Sequence, residues 1–93
     1  MKIEVVERGE KSIRVRIIGE DHTFCNILRK MMYEDDNVEM APYTIEHPML
    51  GHPEFYVKVR RGKPEDAMLK AAKRLMERCE ELREKLKNKL ETR

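Results

Sequence analysis

The sequence predicts an α+β fold in the order β-β-α-β-β-α, a four-stranded, mainly antiparallel sheet with two helices on one face and a long C-terminal helix. Three observations predict it. Two stretches of alternating residues near the start flank a short glycine-containing turn, the hydrophobic period changes from two to helical after Gly19, and an unbroken helical pattern follows Pro64. No repeat or low-complexity linker divides residues 1–93, which are expected to act as one domain.

Residues 2–7 and 12–18 read as strands, the second with Ile13, Val15 and Ile17 on one face and Arg14 and Arg16 on the other. Arg8 to Lys11 between them is polar, short and contains Gly9, which suits an antiparallel hairpin turn. From Thr23 the apolar residues Phe24, Ile27, Leu28 and Met31 fall at i, i+3, i+4 and i+7, one stripe of a helix that runs to about Tyr33. Asp21 or Thr23 is placed to cap it. Val38 to Glu46 reads as a third strand, with Pro42 demanding an edge position or a bulge. Two prolines and a glycine between His47 and Pro53 make a loop, and Phe55, Val57 and Val59 then alternate as a fourth strand. Gly62 and Pro64 stop it and start the last helix, which meets no breaker before about Leu90.

Composition narrows the function classes. The 20 basic and 18 acidic residues leave a formal charge of only +2, too little to hold a nucleic-acid backbone by net charge. The absence of glutamine and the surplus of Glu, Lys and Arg resemble heat-adapted compositions. Cys25 and Cys79 lack metal-site or disulfide-framework spacing and are expected as buried free thiols. No window approaches the roughly 18 consecutive apolar residues of a membrane span, so a soluble, cytoplasmic protein is expected.

The last helix carries the feature that asks for a partner. Met68, Ala72, Leu75, Cys79, Leu82 and Leu86 alternate in steps of four and three, the spacing that keeps a narrow apolar seam along one side. A helix from Pro64 to Leu90 would be roughly 40 Å long, more than a domain of this size can cover. Leu82 and Leu86 are therefore expected to pack on another chain. The bland alternative is a helix that stops near Cys79, followed by a solvated tail steadied by pairs such as Glu81 with Lys85. In the first helix Met31 and Met32 widen the apolar surface set by Phe24 and Leu28, either as core filler or as an adaptable interface.

The run Gly19-Glu20-Asp21-His22-Thr23-Phe24-Cys25-Asn26-Ile27-Leu28-Arg29 resembles the signature of the small α-like subunits of cellular RNA polymerases, close to E-D-H-T-L-G-N-x-L-R. Tyr43 followed by His47-Pro48-Met49 resembles that family's Y-x-x-x-H-P-L, and the resemblance spans essentially the whole chain. Cys25 stands where relatives often have glycine, and Phe24 where they have leucine. The resemblance implies a non-catalytic subunit of an archaeal DNA-directed RNA polymerase, with no cofactor and no metal. It implies a heterodimer with the larger α-like polypeptide of the polymerase, its D component. That pair then docks the large catalytic subunits and other small subunits, with DNA met only through the assembled enzyme. On that carry-over the interface comprises Phe24, Leu28, Met31 and Met32 of the first helix and Leu75, Cys79, Leu82 and Leu86 of the last. Asn26 and Arg29 become polar contacts to a large subunit. His22 is expected to fix the start of the first helix, and His47 to order its loop.

Three rivals compete with this reading. An enzyme would recruit His22, His47 and His52 with Asp35, Asp36 or Glu54. A nucleic-acid binder would use Arg14, Arg16, Lys58, Arg60, Arg61 and Lys63 as a basic sheet face. A freestanding homodimer would join two copies of the long helix.

Overall fold

The computed structural model describes residues 1–44 and 52–91. The expected loop residues 47–51 therefore lie outside the described residues, as do Ile45 and Glu46 at the end of the expected third strand. Strands β1 (Lys2–Arg8) and β2 (Ser12–Ile18) form the hairpin, helix α1 (His22–Tyr33) follows, and the short strands β3 (Val38–Met40) and β4 (Tyr43–Thr44) precede β5 (Glu54–Val59) and helix α2 (Pro64–Glu91). The ladder order is β1-β2-β5-β3, with β4 also on β5, and each pairing is antiparallel.

The sheet has five strands where four are expected, because Ala41-Pro42 divides the third in two. Pro42 has no N–H for a ladder, and the Ala41 N–H donates to the Tyr33 hydroxyl at 3.0 Å instead. The Pro42 carbonyl still accepts from the Tyr56 N–H at 3.1 Å, so both short strands stay on the same edge of β5. At the opposite edge β1 carries a bulge between Val5 and Glu7. Gly19, at φ +91°, turns the chain out of β2, and Gly62, at φ +74°, turns it out of β5 into α2.

One face of the sheet holds the core. Ile13, Val15 and Ile17 of β2 and Phe55, Val57 and Val59 of β5 are buried against Cys25, Leu28, Met31 and Met32 of α1 and Ala67 and Ala71 of α2. The α1 stripe is rotated from the expected one: Cys25 is fully buried and Ile27 is exposed. Asp21 is the N-cap, its carboxylate accepting from the Phe24 N–H at 3.0 Å. Two arginines of α2 fix the crossing of the helices. Arg74 Nη1 donates to the Met31 carbonyl at 3.4 Å, and Arg78 Nη2 reaches Glu34 Oε1 at 2.7 Å.

Helix α2 starts with buried Pro64, Ala67 and Ala71, which let it lie close to the sheet, and from Met76 to Glu91 every residue is exposed. The expected length is realised: 28 residues give about 42 Å of helix. The Cα radius of gyration is 15.4 Å, against about 12 Å for a compact domain of this length. The molecule measures 53 × 35 × 17 Å.

Replacing Asp21 with Ala leaves the first turn of α1 without its cap. The expected cost is about 1 kcal/mol, seen in thermal unfolding as a midpoint about 4–8 °C lower.

Candidate partner interface

Helix α2 diverges from the sheet and leaves the core-facing side of β1 open. Ile3 and Val5 point the same way as their β2 partners Ile17 and Val15, yet both are exposed. Between this strand and α2 runs an apolar groove of about 870 Å³. Its floor is Ile13, Val15 and Ile17, Phe24 and Leu28 of α1 contribute to its wall, and α2 supplies Met68, Leu69, Ala72, Leu75, Met76 and Cys79. Arg8 and Glu65 line one part of it and Glu80 and Arg83 another.

Of the residues expected at a partner interface, Phe24, Leu28, Leu75 and Cys79 line this groove. Leu82 and Leu86 continue the α2 seam beyond it, 59% and 48% exposed. Met32 is different. It is fully buried and Met31 nearly so, both inside the chain's own core, because α1 turns the Cys25–Leu28–Met32 side onto the sheet. Cys79, expected as buried, is exposed, whereas Cys25 is buried. The sequence reading missed Ile3 and Val5, and it missed Leu69 and Met76, which are 68% and 72% exposed beside the α2 seam. The signal for the last two was present: each directly follows a seam position, Met68 and Leu75, and widens the stripe.

The remaining signature residues meet at a second place. Arg29 Nη2 donates to Asn26 Oδ1 at 2.8 Å, and its guanidinium lies 5.3 Å from the Tyr43 ring centre. The Tyr43 hydroxyl is 2.6 Å from His22 Nδ1, and the Tyr43 ring packs on buried Phe55 with centroids 5.3 Å apart. Asn26 and Arg29 from α1 are thus held against β4 through Tyr43, which also bonds His22, the first residue of α1. His47, Pro48 and Met49 lie outside the described residues.

The outer face of the sheet is not a basic surface. Glu54 on β5 sits between Arg14, at 3.7 Å, and Arg16, at 3.3 Å, and these in turn reach Glu7 and Glu4 on β1. Lys58 pairs with Glu39, and Arg14 also stacks over Tyr56. Arg14 and Arg16 are therefore internally neutralised, with three carboxylates to two guanidinium groups in the chain of pairs across β1, β2 and β5. Arg60 is bound to the Asp36 carbonyl. Among the described residues no group of three or more His, Cys, Asp or Glu could hold a metal ion, and no helix is long and apolar enough to cross a membrane.

Residues 12–85 match the family described as the RNA polymerase Rpb3/Rpb11 dimerisation domain. The chain belongs to that family. It is 42% identical to the DNA-directed RNA polymerase subunit Rpo11 of Thermococcus kodakarensis, across 98% of this chain and all of that one. It is 38% identical to Rpo11 of Methanothermobacter thermautotrophicus over 87% of this chain and 93% of that one. The crystal structure of DNA-directed RNA polymerase subunit L from Thermoplasma acidophilum superposes with a TM-score of 0.86 at 32% identity, covering 95% of this chain and 87% of that one. The stretch matching the Rpb3/Rpb11 dimerisation domain takes in the groove floor, α1 and the α2 seam through Leu82.

The two thiols report on the two environments. Burial, then the charges of Asp21 and Glu20, pushes the Cys25 thiol up from 9.0 to about 11. A raised pKa favours the neutral thiol in the folded state. For an acid whose charged form is the disfavoured one, folding then becomes costlier only once the unfolded thiol ionises, so the penalty is absent below pH 9 and grows as pH rises towards 11. At pH 8 a thiol-specific reagent is expected to titrate Cys79 alone in the native chain and Cys25 only after denaturation. Two fast-reacting thiols in the native chain would contradict the burial of Cys25.

Proposed function

We propose that this chain is a non-catalytic assembly subunit of an archaeal DNA-directed RNA polymerase. It pairs with the larger α-like subunit of that enzyme through the groove and the exposed seam of α2, and the pair serves as a platform for the large catalytic subunits. Residues 1–93 act as one α-like dimerisation domain in this role, within a cytoplasmic enzyme, and DNA is met only in the assembled polymerase.

The observation that carries the reading is the continuity of the apolar groove with Leu82 and Leu86. Fully burying each of these leucines is worth about 1.5–3 kcal/mol, and no described element of this chain covers them. Family membership and the relatives' names as polymerase subunits support a polymerase partner. The chemistry of the chain supports a structural role: its buried thiol is held protonated, His22 is engaged with Tyr43, and Glu54 is committed to Arg14 and Arg16. The corner formed by Asn26, Arg29 and Tyr43 lies on α1 and β4, away from the exposed end of α2, and is suited to a second contact, with a large subunit.

Size-exclusion chromatography with light scattering, run with and without the larger α-like subunit, tests the first contact. A 1:1 complex is expected, and L82D/L86D is expected to weaken it by about 100-fold or more, since two carboxylates would be buried in an apolar seam. A chain that stays monomeric beside that subunit would overturn the reading. Cys79 should also become resistant to alkylation in the complex.

The corner is tested separately. Arg29→Ala should leave the complex with the larger α-like subunit intact while lowering the yield of polymerase reconstituted with the large catalytic subunits several-fold. Unchanged reconstitution would remove Arg29 from the docking surface.

A further inference from the structure

The exposed half of α2 carries a sorted charge pattern. Along residues 77–91 helical periodicity puts Glu77, Glu81, Glu84 and Glu91 on the side of the helix turned away from Leu82 and Leu86, with Lys87 among them, while Glu80 reaches the rim of the groove. Arg78, Arg83, Lys85 and Lys89 fall on or beside the seam. In a two-helix contact, residues beside the seam meet their counterparts on the other helix and set partner choice. Arg83 flanks the seam on one side, Arg78 and Lys85 on the other.

We infer that the partner segment lying against this half of α2 is a helix whose own apolar seam is flanked by Asp or Glu. The inference rests on the proposed pairing and adds the chemistry that selects the partner. The alternative occupant, α2 of a second copy, fits worse in either orientation. Side by side and parallel, Arg78 of one copy would meet Arg83 of the other. Antiparallel, Arg78 would meet Lys85. Both place positive charge on positive charge, and like-charge juxtaposition is the usual means by which interfaces reject wrong partners. Within the chain Arg83 and Lys85 are paired with Glu80 at 3.1 Å and Glu81 at 3.0 Å, both exposed pairs on one helix. Such pairs contribute little and exchange readily for an acidic group brought against the seam.

The test compares R83E/K85E with K70E/K73E, which changes the net charge equally on the opposite face of α2, where both lysines are exposed. Association with the larger α-like subunit is followed by stopped-flow and at equilibrium from about 50 to about 500 mM salt, a range over which screening of surface charge deepens severalfold. Circular dichroism confirms helix content. Wild-type association should slow with added salt. R83E/K85E should associate on the order of tenfold more slowly and lose or reverse that salt dependence, with the neutral pair R83Q/K85Q falling between and K70E/K73E changing less than about twofold. Equal effects from R83E/K85E and K70E/K73E would reduce the inference to net-charge steering and overturn it, as would no effect from R83E/K85E, or wild-type homodimers at the lowest salt. L82D/L86D separates the layers. If it abolishes binding while R83E/K85E does not, the interface stands and only the flanking chemistry is wrong; if neither matters, the interface itself is wrong.

Discussion

Helix α2 is about 42 Å long, and the sheet beneath it accommodates only its first turns. Pro64, Ala67 and Ala71 bring those turns close to β5, and no comparable small residues hold the helix down after Leu75. From this mismatch follow the open face of β1, the groove, and the bare seam at Leu82 and Leu86. A chain of this size buries a modest fraction of its apolar surface in any case. Leaving Ile3, Val5, Leu69 and Met76 in water as well is a standing cost that another surface would relieve.

Rigidity accompanies that exposure. Arg74 and Arg78 tie α2 to the last turn of α1, and Asp21 holds the first turn, so the groove wall is anchored where it meets the core. Arg29, Asn26, Tyr43 and His22 are likewise held against one another, over buried Phe55. Side chains ordered before association lose less entropy on binding. On the outer face Glu54 draws Arg14 and Arg16 into a network spanning three strands, the kind of arrangement whose desolvation cost falls with temperature.

The elements that rest on local pattern were legible in the sequence: the hairpin, both helices, and an irregular edge at Pro42, though not its division of the strand in two. Contacts distant in sequence were not. Glu54 is 38 residues from Arg16, and without that pairing Arg14 and Arg16 read as a free basic face. The width of an apolar stripe shows that a helix is buried on two sides without saying by what, so Met31 and Met32 were open to either role, core filler or interface, and the fold packs them in the chain's own core. The exposure of Ile3 and Val5 was not read from the sequence, since strand alternation cannot reveal that the covering helix will diverge. The signature residues were legible as a motif, but their meeting at Tyr43 required the fold.

The form of an occupant follows from the two walls. A strand added to β1 would need a flat free edge, and this edge carries a bulge at Val5/Glu7 together with Lys2, Glu4 and Arg8, features that discourage edge pairing. A strand laid in the groove would find no backbone to bond, because its floor and its α2 wall present side chains. A helix satisfies its own backbone and needs only an apolar face. The β1 wall extends over roughly 23 Å at the rise of a strand, the length of about 16 helical residues. The same reasoning joins the groove to the seam: a helix seated along β1 and α2 would continue past Cys79 toward Leu82, where the basic flanks of α2 begin.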